Sequence, residues 1–414
     1  MISIAIMGYG VVGSGVGDII TTHRTKLFGT IGEEIYIKYI LDLREFPDSP
    51  LADRFTKNFN DILNDKDIKV VVECMGGLNP AYDFVKSLLL SGKSVVTSNK
   101  ELIAQNGAEL ISIARDANAN LLFEASVGGG IPIIRPINQC LVANNVDEIA
   151  GILNGTTNYI LTKMIYDGVS FDDALKTAQE LGYAEKDPTS DIEGFDSCRK
   201  ICILASLAYG NHIYPNQVHT EGITKITLQD VEYACAWGGV IKLIGSVKCL
   251  PNGQKDIFVA PMFIPNNSQL ANINDVFNGI MVRGDCTGDV VFYGKGAGKL
   301  PTASAVVADI VDCCKHLRAR KVIDWEDAKV HDIIDYKESV NAMFVRLTSD
   351  NLSKVLECAK SLFGDITEVN KANQPNNELA FVCPEIKIGD FESAISKLAQ
   401  NGANIISTIR VGNL

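Results

Sequence analysis

Asp196 and Lys200 stand four residues apart in Phe195-Asp196-Ser197-Cys198-Arg199-Lys200, where the chain passes from a polar loop into apolar text. That spacing puts both side chains on one face of a helix, where the carboxylate can hold and orient the ammonium. On a solvated surface such a pair would be commonplace. Cys198 and the apolar run at 201–207 predict a substantially buried helix instead, and partial burial makes a lysine usable as a proton donor or acceptor. A second lysine, Lys100, ends Thr97-Ser98-Asn99-Lys100 directly after an apolar strand-like run. It therefore emerges at the carboxyl end of a sheet, where open α/β folds bind ligands. Most lysines at strand ends are solvated charges, but the neighbouring motifs favour a functional role here.

The elements that must place these lysines begin at the N-terminus. Residues 2–7 are a short apolar run, read as a buried parallel strand, and they feed into Gly8-Tyr9-Gly10-Val11-Val12-Gly13. In this glycine pattern the first glycine allows a tight turn, the second lets backbone approach a pyrophosphate, and the third lets the next helix pack on the strand. The helix N-terminus then offers free N–H groups to the phosphates. Further strands are predicted at 34–41, 69–74, 94–97 and 119–123, with helices at 61–63 and 81–91 between them. This βαβ rhythm predicts a doubly wound parallel sheet of the Rossmann type. Asp42, closing the second strand, is placed to bond an adenosine ribose, whereas Arg44 could pair with a 2′-phosphate or be a solvated loop cation. NAD and NADP both remain open.

Glu124-Ala125-Ser126-Val127-Gly128-Gly129-Gly130-Ile131-Pro132 leaves the sheet through three consecutive glycines, which implies close backbone approach. Bare carbonyls in such a turn could hold a hard monovalent cation beside the Glu124 oxygen, and a domain hinge would explain the same text. Residues 151–158, with Asn154, Thr156 and Thr157, make a strand-to-helix junction suited to binding a small polar molecule or to capping a helix.

The 414 residues predict more than one domain, and three are expected. With 46% hydrophobic and 21% charged residues the chain can bury a sizeable core. The net charge of −12 repels nucleic acid and anionic membrane surfaces, and no basic run offsets it. Eleven cysteines without a C-x-x-C motif, several in apolar text such as Cys198, Cys202, Cys313 and Cys314, read as small buried hydrophobes in a reducing compartment. With neither a signal-like N-terminus nor a long uncharged apolar run, a cytoplasmic protein is expected.

Taken together, GYGVVG, TSNKELIA, EASVGGGIPII, GILNGTTNYIL and GYAEKDPTSDIEGFDSCRK, in this order, make the chain resemble the homoserine dehydrogenase family across nearly its whole length. The resemblance implies reversible oxidation of L-homoserine to L-aspartate 4-semialdehyde by NAD or NADP, on the route to threonine, methionine and isoleucine. It implies that Lys200 is the general acid, that Asp196 positions it, and that Lys100 is a second active-site cation. It implies substrate contacts from Glu185, to the amino group, and from Asp191, Thr156 and Asn154. It implies cofactor contacts from Gly8, Gly10, Val11, Val12, Gly13, Asp42, Arg44, Thr97, Ser98, Lys100, Gly182 and Gly298. A structural sodium ion would be held by Glu124 with the carbonyls of Val127, Gly129 and Ile131. The family also implies that the Gly294–Gly298 turn and the following helix pack back on the first domain, and that the chain forms a homodimer or homotetramer.

The resulting domain expectation is a Rossmann domain at 1–130 with 294–320, a central α+β substrate and dimerisation domain at 131–293, a linker at 321–340, and a C-terminal segment at 341–414. That last segment reads strand, helix, strand, strand, helix, strand, at 342–347, 352–363, 366–371, 379–383, 391–401 and 404–410. The βαββαβ order resembles an ACT domain. Such domains usually carry a glycine after their first strand when they bind amino acids, and residues 349–353 have none, so regulation by threonine and a purely structural or dimerising role both stay open. A rival aspartate-semialdehyde dehydrogenase would need a nucleophilic cysteine at a helix start, which the text lacks. A silent nucleotide- and amino-acid-sensing protein would be expected to have lost Lys100, Asp196 and Lys200.

Overall fold

The computed structural model describes residues 1–327, 332–412 and 414. Residues 328–331, within the expected linker, and 413, in the C-terminal segment, lie outside the described residues. The opening apolar run is almost wholly buried, as strands covered by helices on both faces are. It forms β1 (Ile2–Met7), followed by β2 (Ile35–Leu41), β3 (Phe55–Thr56), β4 (Ile68–Glu73), β5 (Ser94–Thr97) and β6 (Leu121–Leu122). The six make one sheet in the order β3-β2-β1-β4-β5-β6, and every pair in it is parallel. The order reverses between β1 and β4, where a doubly wound sheet opens its ligand crevice. This is the expected Rossmann-type sheet.

The chain forms two compact units: 1–145 with 202–215 and 292–329, and 146–201 with 216–291 and 330–414. The first is discontinuous, as the glycine turn near 294–298 suggested. Its last helix, Lys299–Lys315, packs on the Val11–Thr22 helix so closely that a Cβ on Gly15 would lie 3.0 Å from that of Ala303. The insertion of 202–215 was not foreseen. It is keyed by His212, which accepts from Trp325 Nε1 at 2.9 Å and lies 3.0 Å from the Ala104 carbonyl through Nε2.

The second unit holds β7 (Val146–Ile152), β8 (His219–Thr220), β9 (Gly239–Cys249), β10 (Lys255–Pro265) and β11 (Phe277–Gly284). Along β12 (Gly288–Lys295) the chain returns to the first unit. After that come β13 (Val340–Thr348), β14 (Thr367–Glu368), β15 (Glu378–Lys387) and β16 (Asn404–Val411), with helices Leu352–Phe363 and Ile388–Gln400 between them. The βαββαβ order is as expected, though the second strand spans only two residues. Strands of the unit run β11-β7-β9-β10-β16-β13-β15-β14, and β8 lies parallel to β10. The C-terminal segment does not stand as a third body. Strand β16 pairs in parallel with β10 through Met262 and Arg410 and through Phe263 and Val411, so its backbone covers an edge that would otherwise be unpaired. Cys198, Cys202, Cys313 and Cys314 are buried, as their apolar surroundings suggested. Among the described residues no helix is long and apolar enough to cross a membrane.

Candidate active site

In the first unit the glycine pattern forms a turn that other residues could not make. Gly8 has φ +88°, and a Cβ there would meet the Cys74 carbonyl oxygen at 2.8 Å. A Cβ on Gly13 would lie 1.9 Å from the Gly8 oxygen. Gly10 sits at the N-cap of the Val11–Thr22 helix, and no side chain caps it, so the helix directs its first N–H groups and its partial positive charge outward. Beside it a cleft of about 730 Å³ is lined by Gly8, Gly10, Val11, Val12, Asp42 and Arg44. This cradle fits the phosphates and adenosine of a dinucleotide.

Asp42 and Arg44 bind each other. The Arg44 Nε and Nη2 atoms donate to the two carboxylate oxygens at 3.0 and 2.8 Å, and the Tyr9 N–H donates to Asp42 at 2.7 Å. The Arg44 bonds hold the Asp42 carboxyl down at about 2 despite partial burial. Asp42 and Arg44 are therefore one mutually neutralising pair lining the cleft.

At the carboxyl ends of β4 and β5 a carboxylate that sequence reasoning missed organises the loop before Lys100. Glu73 is fully buried, accepts the Thr97 hydroxyl at 2.5 Å and takes the N–H groups of Met75 and Gly76. Burial pushes its proton affinity up. Thr97 in turn accepts the Asn99 N–H, and Asn99 caps the Lys100–Asp116 helix by accepting from the Leu102 N–H at 3.0 Å. Lys100 thus occupies the first turn of a capped helix at the carboxyl end of the sheet, with Ser98 half-buried beside it. The signal was visible in the sequence as a charged residue ending an apolar strand, Val70-Val71-Val72-Glu73.

The triple-glycine turn is interlocked with the second glycine turn of the unit. The Gly130 N–H donates to the Lys295 carbonyl at 3.0 Å, and a Cβ on Gly129 would fall 2.3 Å from the Gly296 oxygen. Gly298, the other expected cofactor contact there, stands at the N-cap of the Lys299–Lys315 helix with φ +121°. The Glu124 carboxylate points inward, accepting the N–H groups of Ile133, Ile134 and Arg135 at 2.6–2.9 Å. Asp309 accepts the Glu124 N–H at 2.8 Å and pairs with the Arg135 guanidinium. The Glu124 carboxylate is thus hydrogen-bonded to three backbone N–H groups.

In the second unit Lys200 is 7% exposed and Asp196 is 3% exposed, so the pair is buried as the sequence predicted. Lys200 Nζ is 2.7 Å from an Asp196 oxygen and donates to the Leu153 carbonyl at 2.7 Å. Leu153 precedes Asn154, the N-cap of the Gly155–Tyr166 helix, whose side-chain oxygen accepts the Thr157 N–H at 2.9 Å. The Asn154 amide also donates to Asp191 at 2.6 Å and to Asp196 at 2.9 Å. The junction is thus the expected helix cap, and the same Asn154 gathers the two aspartates. Thr156 donates to the Tyr183 carbonyl at 2.7 Å, while Glu185 and Gly182 lie exposed nearby in sequence, Gly182 with φ +74°. A buried ammonium that contacts a carboxylate and a backbone carbonyl, with further carboxylates on the same segment, can deliver or accept a proton.

A model of the homoserine dehydrogenase family matches residues 132–311, and a model of the NAD-binding domain of homoserine dehydrogenase matches residues 8–124. The chain is 40% identical to homoserine dehydrogenase of Bacillus subtilis over 321 residues, covering 77% of this chain and 74% of that protein. A crystal structure of a homoserine dehydrogenase from Thiobacillus denitrificans superposes with a TM-score of 0.90 at 33% identity, covering 99% of this chain and 98% of the other. A hyperthermophilic archaeal homoserine dehydrogenase in complex with NADPH gives a TM-score of 0.65 at 27% identity, covering 75% of this chain and 97% of that one. The capped lysine–aspartate pair, the glycine cradle and these likenesses agree: the chain belongs to the homoserine dehydrogenase family of NAD(P)-dependent oxidoreductases that act on a CH–OH group.

Proposed function

We propose that Lys200 exchanges the proton in the interconversion of L-homoserine and L-aspartate 4-semialdehyde, with Asp196 positioning it and Lys100 as a second cation beside substrate and cofactor. The observation that carries this reading is the buried Lys200 ammonium held between Asp196 and the Leu153 carbonyl. These contacts orient the ammonium within the buried segment. In reduction, charge grows on the aldehyde oxygen, and the ammonium stabilises it and then protonates it. In oxidation the lysine takes the hydroxyl proton. A bound nicotinamide supplies or takes the hydride. Glu185 binds the substrate ammonium by a charge-assisted bond and Asp191 adds a second carboxylate. Asn154 and Thr156 contribute by holding the segment that carries them.

The cofactor, NADP or NAD, is held by Gly8, Gly10, Val11, Val12 and Gly13, with Asp42 and Arg44 for its ribose; Thr97, Ser98, Lys100, Gly182 and Gly298 are its further contacts. The archaeal relative bound to NADPH supports NADP among the two. Sodium is held by Glu124 with the carbonyls of Val127, Gly129 and Ile131, a set of hard oxygen donors. The C-terminal segment is an ACT-like module of a cytoplasmic homodimer or homotetramer, with threonine as its candidate regulator.

The test is turnover of purified protein on L-homoserine with each coenzyme at alkaline pH, with and without threonine. Oxidation to the semialdehyde is expected. Failure to oxidise L-homoserine with either coenzyme overturns the reading.

A further inference from the structure

Arg410 lies in β16 and is 2% exposed, with its guanidinium between the rings of Phe258 and Tyr336 at 5.1 and 5.4 Å. Its Nη1 donates to Glu221 at 2.7 Å, and His219 Nε2 lies 2.7 Å from the same oxygen. Burial would raise the Glu221 proton affinity, but His219 and Arg410 outweigh it and hold the carboxylate ionised. The Glu221 N–H donates to the Val259 carbonyl at 2.7 Å, which stitches the segment to β10.

Immediately after Glu221, backbone presses on backbone. A Cβ on Gly222 would lie 2.2 Å from the Ile192 oxygen and 2.5 Å from the Glu193 Cα. The Ile223 N–H donates to the Ile192 carbonyl at 2.8 Å, and Gly194, at φ +83°, would bring a Cβ within 3.3 Å of the Glu221 oxygen. The side chains of Glu193, Thr220 and Val259 close around the same contact. The turn it grips leads straight into the helix of Asp196 and Lys200: the Gly194 N–H donates to the Asp191 carbonyl at 3.0 Å, and the Gly194 carbonyl accepts the Cys198 N–H at 2.9 Å. An ångström of movement at Glu221 is therefore passed on to the start of that helix.

We propose that the Arg410–Glu221 ion pair is a positioning element, by which the C-terminal strand sets the register of the Ile192–Gly194 turn and so the placement of Lys200. The proposal rests on the reading of Lys200 as the proton donor. Stability alone is a poor account of the pair, since buried ion pairs are often replaceable by apolar groups without loss, and the Arg410 Nε–H has no protein partner. Misplacement of a reacting group by about 1 Å can cost on the order of a hundredfold in rate.

The test uses the full chain with Arg410→Met, Arg410→Lys, Glu221→Gln and, in parallel, Lys200→Met. Rates are counted per nucleotide-binding site, with semialdehyde reduction followed across pH and the Tm recorded. Arg410→Met and Glu221→Gln are expected to lower kcat about tenfold or more and to displace its pH profile, with nucleotide affinity unchanged. Arg410→Lys should regain most of the rate, and a chain carrying both Arg410→Met and Glu221→Gln should be no worse than either single variant. A wild-type kcat and pH profile per nucleotide-binding site in Glu221→Gln, or a loss that only follows the folded fraction, overturns the proposal. Wild-type turnover by Lys200→Met would instead overturn the reading beneath it, a distinct result.

Discussion

Replacing Asp309 by asparagine probes the charges that clamp the triple-glycine loop to the last helix of the first unit. Asp309 is fully buried, and burial raises its carboxyl from 3.8 to about 7, with the Arg135 guanidinium opposing the rise and the Glu124 carboxylate adding to it. Arg135 keeps its charge beside Asp309, with the Glu124 and Asp312 carboxylates also within 4 Å of it. A folded-state value above the unfolded one means that the native protein binds the proton more tightly. The resulting stability is fully present below about pH 4 and is lost as pH rises through about 7. The gap corresponds to roughly 4 kcal/mol as an upper bound. Asparagine keeps an acceptor for the Glu124 N–H but does not titrate. Urea unfolding of Asp309→Asn and its parent, both in a Trp237→Phe background so that Trp325 reports the first unit, gives the difference at each pH. The parent's advantage should shrink by up to roughly 4 kcal/mol between about pH 4 and pH 8. A difference that is flat, or that grows with pH, would refute the reasoning and mean that Asp309 stays ionised beside Arg135.

Arg44→Ala removes the partner that occupies both Asp42 oxygens. The KM for NADP should rise about tenfold and that for NAD should fall severalfold, and steady-state titration of both coenzymes checks this. Gly13→Ala would drive a Cβ to 1.9 Å from the Gly8 oxygen, so nucleotide binding measured by fluorescence titration should be lost.

Features carried by local chemistry were legible in the sequence. β5 and the Leu352–Phe363 helix have the predicted bounds because short apolar runs and helical periodicity define them without help from afar. The Asp196–Lys200 pair was legible because one helical turn brings the two together. The Leu153 carbonyl that completes it is a backbone atom supplied by the fold, and no residue type signals it. Asn154 announced itself as a cap, but its hold on Asp191 and Asp196 depends on a chain 37 and 42 residues away. The convergence of the N–H groups of 133–135 on the Glu124 carboxylate was not legible, because loop backbone of this kind has no periodic signature. The C-terminal element order was likewise readable, whereas the pairing of β16 with β10 is a choice between strand edges made at long range.

Proton exchange by Lys200 is tested most directly by the rate of the hydride step in Lys200→Met, measured in a single turnover with reduced nicotinamide already bound and L-aspartate 4-semialdehyde added. A fall of about a thousandfold with nucleotide affinity unchanged is expected. A rate within a few-fold of the parent would contradict the assignment.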